Sequence, residues 1–179
     1  MTSNRKLKLW ELERVDKETF IAQKKEELII VLDNIRSLNN VGSFFRTCDA
    51  FNVKKIYLCG ITPKPPHREI NKTAIGATQT VTWEYRESAL TLIRELKAKG
   101  NVIISIEQAS NTKNIQELNN FVSKPLVVVF GNEVEGVDQK IVDFSHEVME
   151  IPQYGTKHSL NVSVCAGIVL WEATKKRNK

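Results

Sequence analysis

Three segments concentrate amide, carboxylate and guanidinium groups directly behind apolar runs. The first follows Leu28–Leu32 and reads Asp33-Asn34-Ile35-Arg36-Ser37-Leu38-Asn39-Asn40, then Val41-Gly42-Ser43-Phe44-Phe45-Arg46-Thr47. Polar residues that open a helix offer free N–H groups to an anion such as phosphate. Arg46, one to two turns inside, adds a forked cation. A plainer reading uses Asn39 or Asn40 as the helix cap and pairs Arg46 with an acid; residue types alone favour it. The second segment, Gly131-Asn132-Glu133-Val134-Glu135-Gly136-Val137-Asp138, follows Leu126–Phe130. Its glycines bracket two carboxylates, and Gly131 permits close backbone approach to a ligand; a simple turn before a helix fits equally well. The third, Ile151-Pro152-Gln153-Tyr154-Gly155-Thr156-Lys157-His158-Ser159-Leu160-Asn161-Val162-Ser163, is a polar loop feeding a helix. Ser159 stands near the expected cap, with Asn161 in the first turn, where asparagine is mildly unfavourable. The adjacent His158 and Ser159 do not make a hydrolase, because no G-x-S-x-G elbow surrounds the serine. Neither GxGxxG nor GxxxxGK[ST] occurs, so a nicotinamide cofactor or a nucleoside triphosphate is not indicated.

The apolar runs are the elements that must position these groups. Leu28–Leu32, Ile56–Cys59, Val102–Ile106 and Leu126–Phe130 are continuous, as in strands buried on both faces, and Val148–Ile151 is a weaker fifth. Between them the pattern turns helical over Val41–Phe51, over Ser88–Lys99 before Gly100, over Gln139–Phe144 behind Asp138, and over Ser159–Lys176. Strands alternating with helices imply an α/β fold with a mainly parallel sheet and helices on both faces. In such sheets ligands bind at the carboxyl ends of the strands, where all three polar segments lie. Residues 1–27 are polar, charged and weakly helical, an extension outside the core. The domain proper spans 28–174, followed by a basic tail at 175–179. Pro63, Pro65 and Pro66 mark residues 61–73 as a surface loop.

The 179-residue chain carries 26 Lys and Arg against 21 Asp and Glu, a net charge of +5. The excess is uneven. Residues 31–82 hold seven basic and three acidic groups, and residues 83–173 hold eight and twelve. An anionic partner therefore belongs with the first half or the tail. Cys48, Cys59 and Cys165 form no CxxC, and His67, His146 and His158 show no ligand spacing, so packed thiols and no metal site are expected. The amino terminus has no apolar signal core and no apolar run reaches the length of a membrane span, so a cytoplasmic protein is expected.

Taken together and in order, the three segments resemble the SpoU (TrmH-like) class of knotted RNA ribose methyltransferases. The matching positions are Asn34-x-Arg36-x5-Gly42-x3-Arg46-Thr47, Phe130-Gly131-Asn132-Glu133-x-Glu135-Gly136, and Ile151-Pro152-Gln153-x-Gly155-x3-Ser159-Leu160-Asn161-Val162-Ser163. The resemblance covers residues 28–174. It implies a trefoil knot near the C-terminus, which periodicity alone does not predict. It also implies S-adenosyl-L-methionine as cofactor, held by Gly131, Asn132, Ile151 and Leu160 with Ser159 nearby. The implied reaction is methyl transfer to a ribose 2′-hydroxyl, with Arg46, Asn40, Glu133, Ser159 and Asn161 as the catalytic set. The class proposes Arg46 as the base; a guanidinium stays protonated in proteins, so holding a phosphate and the developing alkoxide is the easier role. Asn40 and Asn161 would orient the hydroxyl, and Glu133 the arginine or the cofactor.

The resemblance further implies a homodimer whose active site draws on both subunits. Val164, Ile168 and Trp171 share one face of the last helix, which suits either a dimer seam or ordinary core packing. The short segment before the first strand is too small for a second domain, which favours the compact enzymes that methylate a D-loop guanosine of tRNA over those acting on rRNA. Arg36, Arg46, Lys54, Lys55, Lys64, Arg68, Lys72, Lys175, Lys176, Arg177 and Lys179 are the expected RNA contacts. A non-catalytic RNA-binding or ribosome-assembly factor on the same fold is the alternative from another class.

Overall fold

The computed structural model describes residues 4–175. Seven strands form one sheet: β1 (Glu26–Asp33), β2 (Val53–Cys59), β3 (Trp83–Arg86), β4 (Val102–Ile106), β5 (Lys113–Asn114), β6 (Leu126–Phe130) and β7 (Glu147–Glu150). Their order is β3-β2-β1-β6-β4-β7-β5, and every pairing is parallel. The helices are α1 (Lys17–Ala22), α2 (Leu38–Ala50), α3 (Arg68–Ala74), α4 (Ala89–Ala98), α5 (Gln139–Phe144) and α6 (Val162–Thr174), with short 3-10 turns between some of them.

The continuous apolar runs are the strands enclosed from both sides. Every residue of β4 and β6 is buried. Alternation along β1 splits the core into two layers. Leu28, Ile30 and Leu32 pack with Phe44 and Phe45 of α2 and with Val169 and Leu170 of α6. Val31 on the opposite face packs with Leu92 and Ile93 of α4 and Ile141 of α5. Each such buried side chain contributes about 1.5–3 kcal/mol. Local signals start several helices where the sequence places them. Ser88 caps α4 by accepting from the Thr91 N–H, and Asp138 caps α5 by accepting from the Lys140 N–H.

Several expectations are corrected. The loop assigned to residues 61–73 ends in α3, whose first turn is capped by His67. The helix expected from Ser159 begins only at Val162, because Asn161 rather than Ser159 is its cap. Ser37, not Asn39 or Asn40, caps α2. Both shifts release a side chain for the site described below. Lys54 and Lys55, expected on RNA, sit at the amino-terminal end of β2, away from the functional strand ends. They pair with Glu27 and Glu84 at 2.8 and 2.6 Å.

Residues 7–15 and α1 have no buried residue, and Leu7, Leu9, Trp10 and Val15 are exposed. The outward face of α6 is apolar as well: Val164, Ile168 and Trp171 are 55%, 37% and 59% exposed, while Ala166, Val169, Leu170 and Ala173 are buried beneath them. Among the described residues no helix is long and apolar enough to cross a membrane, and no cluster of three or more His, Cys, Asp or Glu could hold a metal ion. Lys176, Arg177 and Lys179 lie outside the described residues.

Candidate active site

Register brings the three polar segments to one level. Leu32 of β1 pairs with Phe130 of β6, Phe130 with Ile106 of β4, and Ile106 with Met149 of β7. The loops leaving β1, β6, β4 and β7 therefore emerge side by side. Each is stiffened by its own amide or carboxylate side chains.

Asn34 ends β1 with φ 57°, a left-handed conformation that asparagine tolerates better than most residues. Its Oδ1 accepts from the Ile61 N–H at 3.1 Å, and its carbonyl accepts from Asn132 Nδ2 at 2.7 Å. Behind it, buried Asp33 accepts from Asn34 Nδ2 at 2.9 Å and from the Asp138 N–H at 3.3 Å. Burial raises its pKa, outweighing those bonds. The loop after β6 closes on itself through two 2.9 Å backbone bonds between Asn132 and Gly136. Gly131 has to be glycine here: a Cβ would stand 2.1 Å from the Gly136 carbonyl carbon.

Glu133 links that loop to the loop after β1. One carboxylate oxygen accepts from the Arg36 N–H at 2.9 Å, and the other accepts from the Ser37 N–H and from Asn40 Nδ2, both at 3.0 Å. Partial burial would raise its pKa, but the bonds led by the Arg36 N–H prevail and hold it below the ordinary glutamate value. Asn40 then accepts from Asn161 Nδ2 at 3.2 Å. Asn161 Oδ1 caps α6 through the Ser163 and Val164 N–H groups at 2.9 and 3.3 Å. An unbroken relay, Glu133–Asn40–Asn161, thus joins the loop after β6, the start of α2 and the start of α6, with Glu133 also holding the Arg36 and Ser37 backbone and Asn161 capping α6.

Beside the relay lies a cavity of about 500 Å³. Its walls include Gly131, Asn132, Glu133, Ile151, Ser159, Leu160 and Asn161, so every residue expected around the cofactor lines one space. Ile106, Phe130 and Val162 supply apolar surface. Glu107, Glu133 and Glu150 are its carboxylates, His158 lines it as well, and among the described residues no lysine or arginine does. The volume falls in the range that holds a small-molecule ligand, and the charge balance suits a cation rather than a phosphate. Ser159 is exposed and makes no hydrogen bond among the described residues, including none to His158.

Two residues without an assigned role in the sequence hold the walls. Glu107, at the end of β4, accepts from the Val137 and Gln108 N–H groups, both at 2.8 Å. Gln108 Nε2 donates to the His158 carbonyl at 2.7 Å. The adjacent pair ties the loop after β6 and the loop after β7 to one strand end; its position directly behind the third apolar run was the available signal. Cys165 also lines the cavity, but burial first, then Glu107, pushes its thiol up to about 12, so it stays protonated and is no nucleophile.

Arg46 stands apart from this cavity. It follows Asn40 by six residues, about 240° around the helix at 3.6 residues per turn, and lines a second concavity with Lys17, Asp49, Gly76, Gln79 and Thr80. Among the described residues it has no ion-pair or hydrogen-bond partner, so the salt-bridged alternative does not hold. Arg36 and Arg68 are exposed; Lys64 stacks 4.1 Å from the Tyr85 ring; Lys72 and Lys175 pair with Glu69 and Glu172 at 3.9 and 2.6 Å.

Residues 27–171 match the SpoU rRNA Methylase family. The tRNA (guanosine(18)-2′-O)-methyltransferase of Aquifex aeolicus (strain VF5) is 32% identical over 160 residues, covering 89% of this chain and 74% of that one. The 23S rRNA (guanosine-2′-O-)-methyltransferase RlmB of Haemophilus influenzae is 29% identical, covering 93% and 67%. Among solved structures, the TrmH/SpoU tRNA modifying enzyme of A. aeolicus superposes with a TM-score of 0.79 at 31% identity over 90% of this chain and 80% of that one. The AdoMet-bound rRNA methyltransferase of Sinorhizobium meliloti does so with 0.79 at 27%, covering 86% and 57%.

Proposed function

The chain belongs to the SpoU family of RNA 2′-O-methyltransferases, and on that premise we propose that it methylates a guanosine ribose in tRNA. The observation that carries the reading is the Glu133–Asn40–Asn161 relay beside a cavity lined by the carboxylates of Glu107, Glu133 and Glu150. The relative that acts on tRNA shares 32% identity over 74% of its length, against 29% over 67% for the relative that acts on rRNA. That narrow margin keeps rRNA as the second reading.

The cavity fits S-adenosylmethionine, the cofactor of the family. When bound, the cofactor supplies a methyl group on a positively charged sulfur. Glu107, Glu133 and Glu150 give the cavity a negative potential that favours this charge, and Phe130, Leu160 and Val162 would flank the adenine. Backbone groups of Gly131, Ile151 and Leu160, which line the cavity, would read its edge. On the RNA side, the ribose hydroxyl is a poor nucleophile and must shed its proton. A guanidinium that stays protonated stabilises the resulting negative charge, the role assigned to Arg46. Asn40 and Asn161, fixed by the relay, would orient the ribose at the loop ends.

Because Arg46 and the cavity lie on different parts of one chain, a second copy completes the site. The exposed Val164, Ile168 and Trp171 of α6 supply an apolar seam for that homodimer. The strand order supports the family's trefoil knot: β6 lies between the earlier β1 and β4, and β7 between the earlier β4 and β5.

The test is labelled methyl transfer from S-adenosylmethionine to unmodified total tRNA and rRNA, with the methylated nucleotide mapped. Label in a tRNA guanosine supports the proposal, and label confined to rRNA overturns it in favour of the second reading. Binding of the cofactor without transfer to any RNA points to a non-catalytic factor. Arg46→Ala is expected to abolish transfer while leaving cofactor affinity unchanged; near-normal turnover would remove Arg46 from the mechanism.

A further inference from the structure

We propose that the concavity around Arg46 is a binding site for an RNA phosphodiester, with Lys17 of α1 as its second cation. The proposal rests on the reading that Arg46 meets the RNA and names what else meets it there. The space is about 380 Å³, and its polar lining is Lys17, Arg46, Asp49, Gln79 and Thr80. Lys17 and Arg46 come from segments far apart in sequence, yet both line one hollow.

Lys17 is held rather than merely exposed. Its ammonium donates to Gln79 Oε1 at 2.9 Å, a neutral partner that orients the group and leaves its charge uncompensated. Both ends of α1 are fixed as well. Asp16 caps it by accepting from the Thr19 N–H at 2.8 Å, and Gln23 behind it donates to Asn52 Oδ1 at 2.9 Å. Asn52 in turn donates to the Lys24 carbonyl at 2.9 Å. Arg46 carries a free fork of N–H donors on the same hollow.

Asp49 is the one carboxylate among the lining residues, and one of its oxygens is already hydrogen-bonded. It accepts the Thr80 hydroxyl, and it lies near Lys25, whose pKa burial lowers on balance against the opposing pull of the Asp49 charge. Two cations, neither with an ion-pair partner among the described residues, therefore face a space bordered by a single acid. A ligand carrying a single delocalised negative charge with several acceptor oxygens matches this set, with arginine forking across two oxygens and lysine acting as a point charge. For an enzyme of RNA, that ligand is the phosphodiester beside the methylated nucleotide. The amino-terminal segment thereby becomes part of the substrate site, although nothing in it is buried.

The test uses the full chain and an unmodified tRNA transcript. Affinity is measured by filter binding across a salt series, and methyl transfer is measured in parallel. Lys17→Gln should weaken RNA binding, flatten the slope of log affinity against log salt by about 1, raise KM for RNA and leave kcat and cofactor affinity unchanged. Lys17→Arg should restore all of these. Lys24→Gln removes the same charge from the same segment outside the hollow and should change little. An unchanged slope and KM for Lys17→Gln, or an equal effect from Lys24→Gln, overturns the site. Salt dependence is read from binding alone, so it tests this site even if the wild-type chain transfers no methyl group, a result that would count against the proposed function instead.

Discussion

Replacing Glu133 by glutamine removes one charge and changes almost nothing in size. The wild-type carboxylate accepts three hydrogen bonds, from the Arg36 and Ser37 N–H groups and from Asn40 Nδ2, at 2.9, 3.0 and 3.0 Å. A glutamine has one acceptor oxygen, and its NH2 group must then face at least one N–H donor. Hydrogen bonds to a charged group are worth about 1.5–3 kcal/mol each, while those remaining to a neutral oxygen are worth about 1. Glu133 is exposed on its outer side, so solvent screening lowers the total cost to about 1–3 kcal/mol. If that cost falls on the assembled loop, kcat should drop roughly 5- to 150-fold. The global fold should hold, because the two core layers are untouched. The assay is single-turnover methyl transfer at saturating RNA and cofactor, beside a thermal melt and a cofactor titration. A pH series adds a second readout. The folded carboxylate titrates below its unfolded value, so its contribution is present above the unfolded pKa and is lost as pH falls through the folded one. The wild-type chain should lose activity on that acid limb, and Glu133→Gln should lack this component. Wild-type kcat in Glu133→Gln, with the acid limb intact, would refute the view that this carboxylate assembles the site.

Three other perturbations probe different levels of the structure. Trp171→Glu places a charge on the exposed apolar face of α6 and should yield a monomer with little activity in sedimentation and transfer assays; a persistent dimer would remove α6 from the seam. Gly42→Ala gains up to about 1 kcal/mol of helix propensity, but its Cβ would stand 2.0 Å from Thr73 Oγ1 and 2.3 Å from the Ile70 carbonyl oxygen. Overpacking costs about 1–3 kcal/mol, so Tm should fall by a few degrees, and an unchanged or higher Tm would show that α3 gives way freely. His146 accepts the Ile103 N–H on Nδ1 at 2.9 Å, and burial, with Lys97 and Lys124, lowers its pKa. Its stabilisation is present above the unfolded pKa and lost as pH falls through the lower folded one, so denaturant midpoints should drop as pH falls below about 6.5, and His146→Gln should shrink that drop.

Much of the fold was legible because it is written in short runs. Each of the four continuous apolar stretches is a strand, since residues enclosed on both faces are apolar without alternation. Asp138 and Ser88 mark helix starts because capping is settled within three residues. Elements at the margin were not legible. Trp83–Arg86 mixes polar and aromatic residues because it is an edge strand, and α3 hides behind three prolines. The polar segments announced a site, but the partners of their side chains did not follow. Asn40 looks like a helix cap until Ser37 takes that role, and Asn161 looks misplaced in a first turn until the helix is seen to start after it.

The sequence by itself determined the class of fold, the ends of the strands that carry the chemistry and, through three spaced motifs, the family. All of these are local patterns of burial, capping and residue order. Only the tertiary structure decided that Glu133 grips the backbone of Arg36 and Ser37 rather than Arg46, that Glu107 and Gln108 tie the cavity walls, and that Arg46 opens onto a different hollow shared with Lys17. Those contacts join residues up to 97 positions apart. They depend on β6 entering between β1 and β4, a non-local choice set by packing of the whole sheet that no short stretch of sequence records.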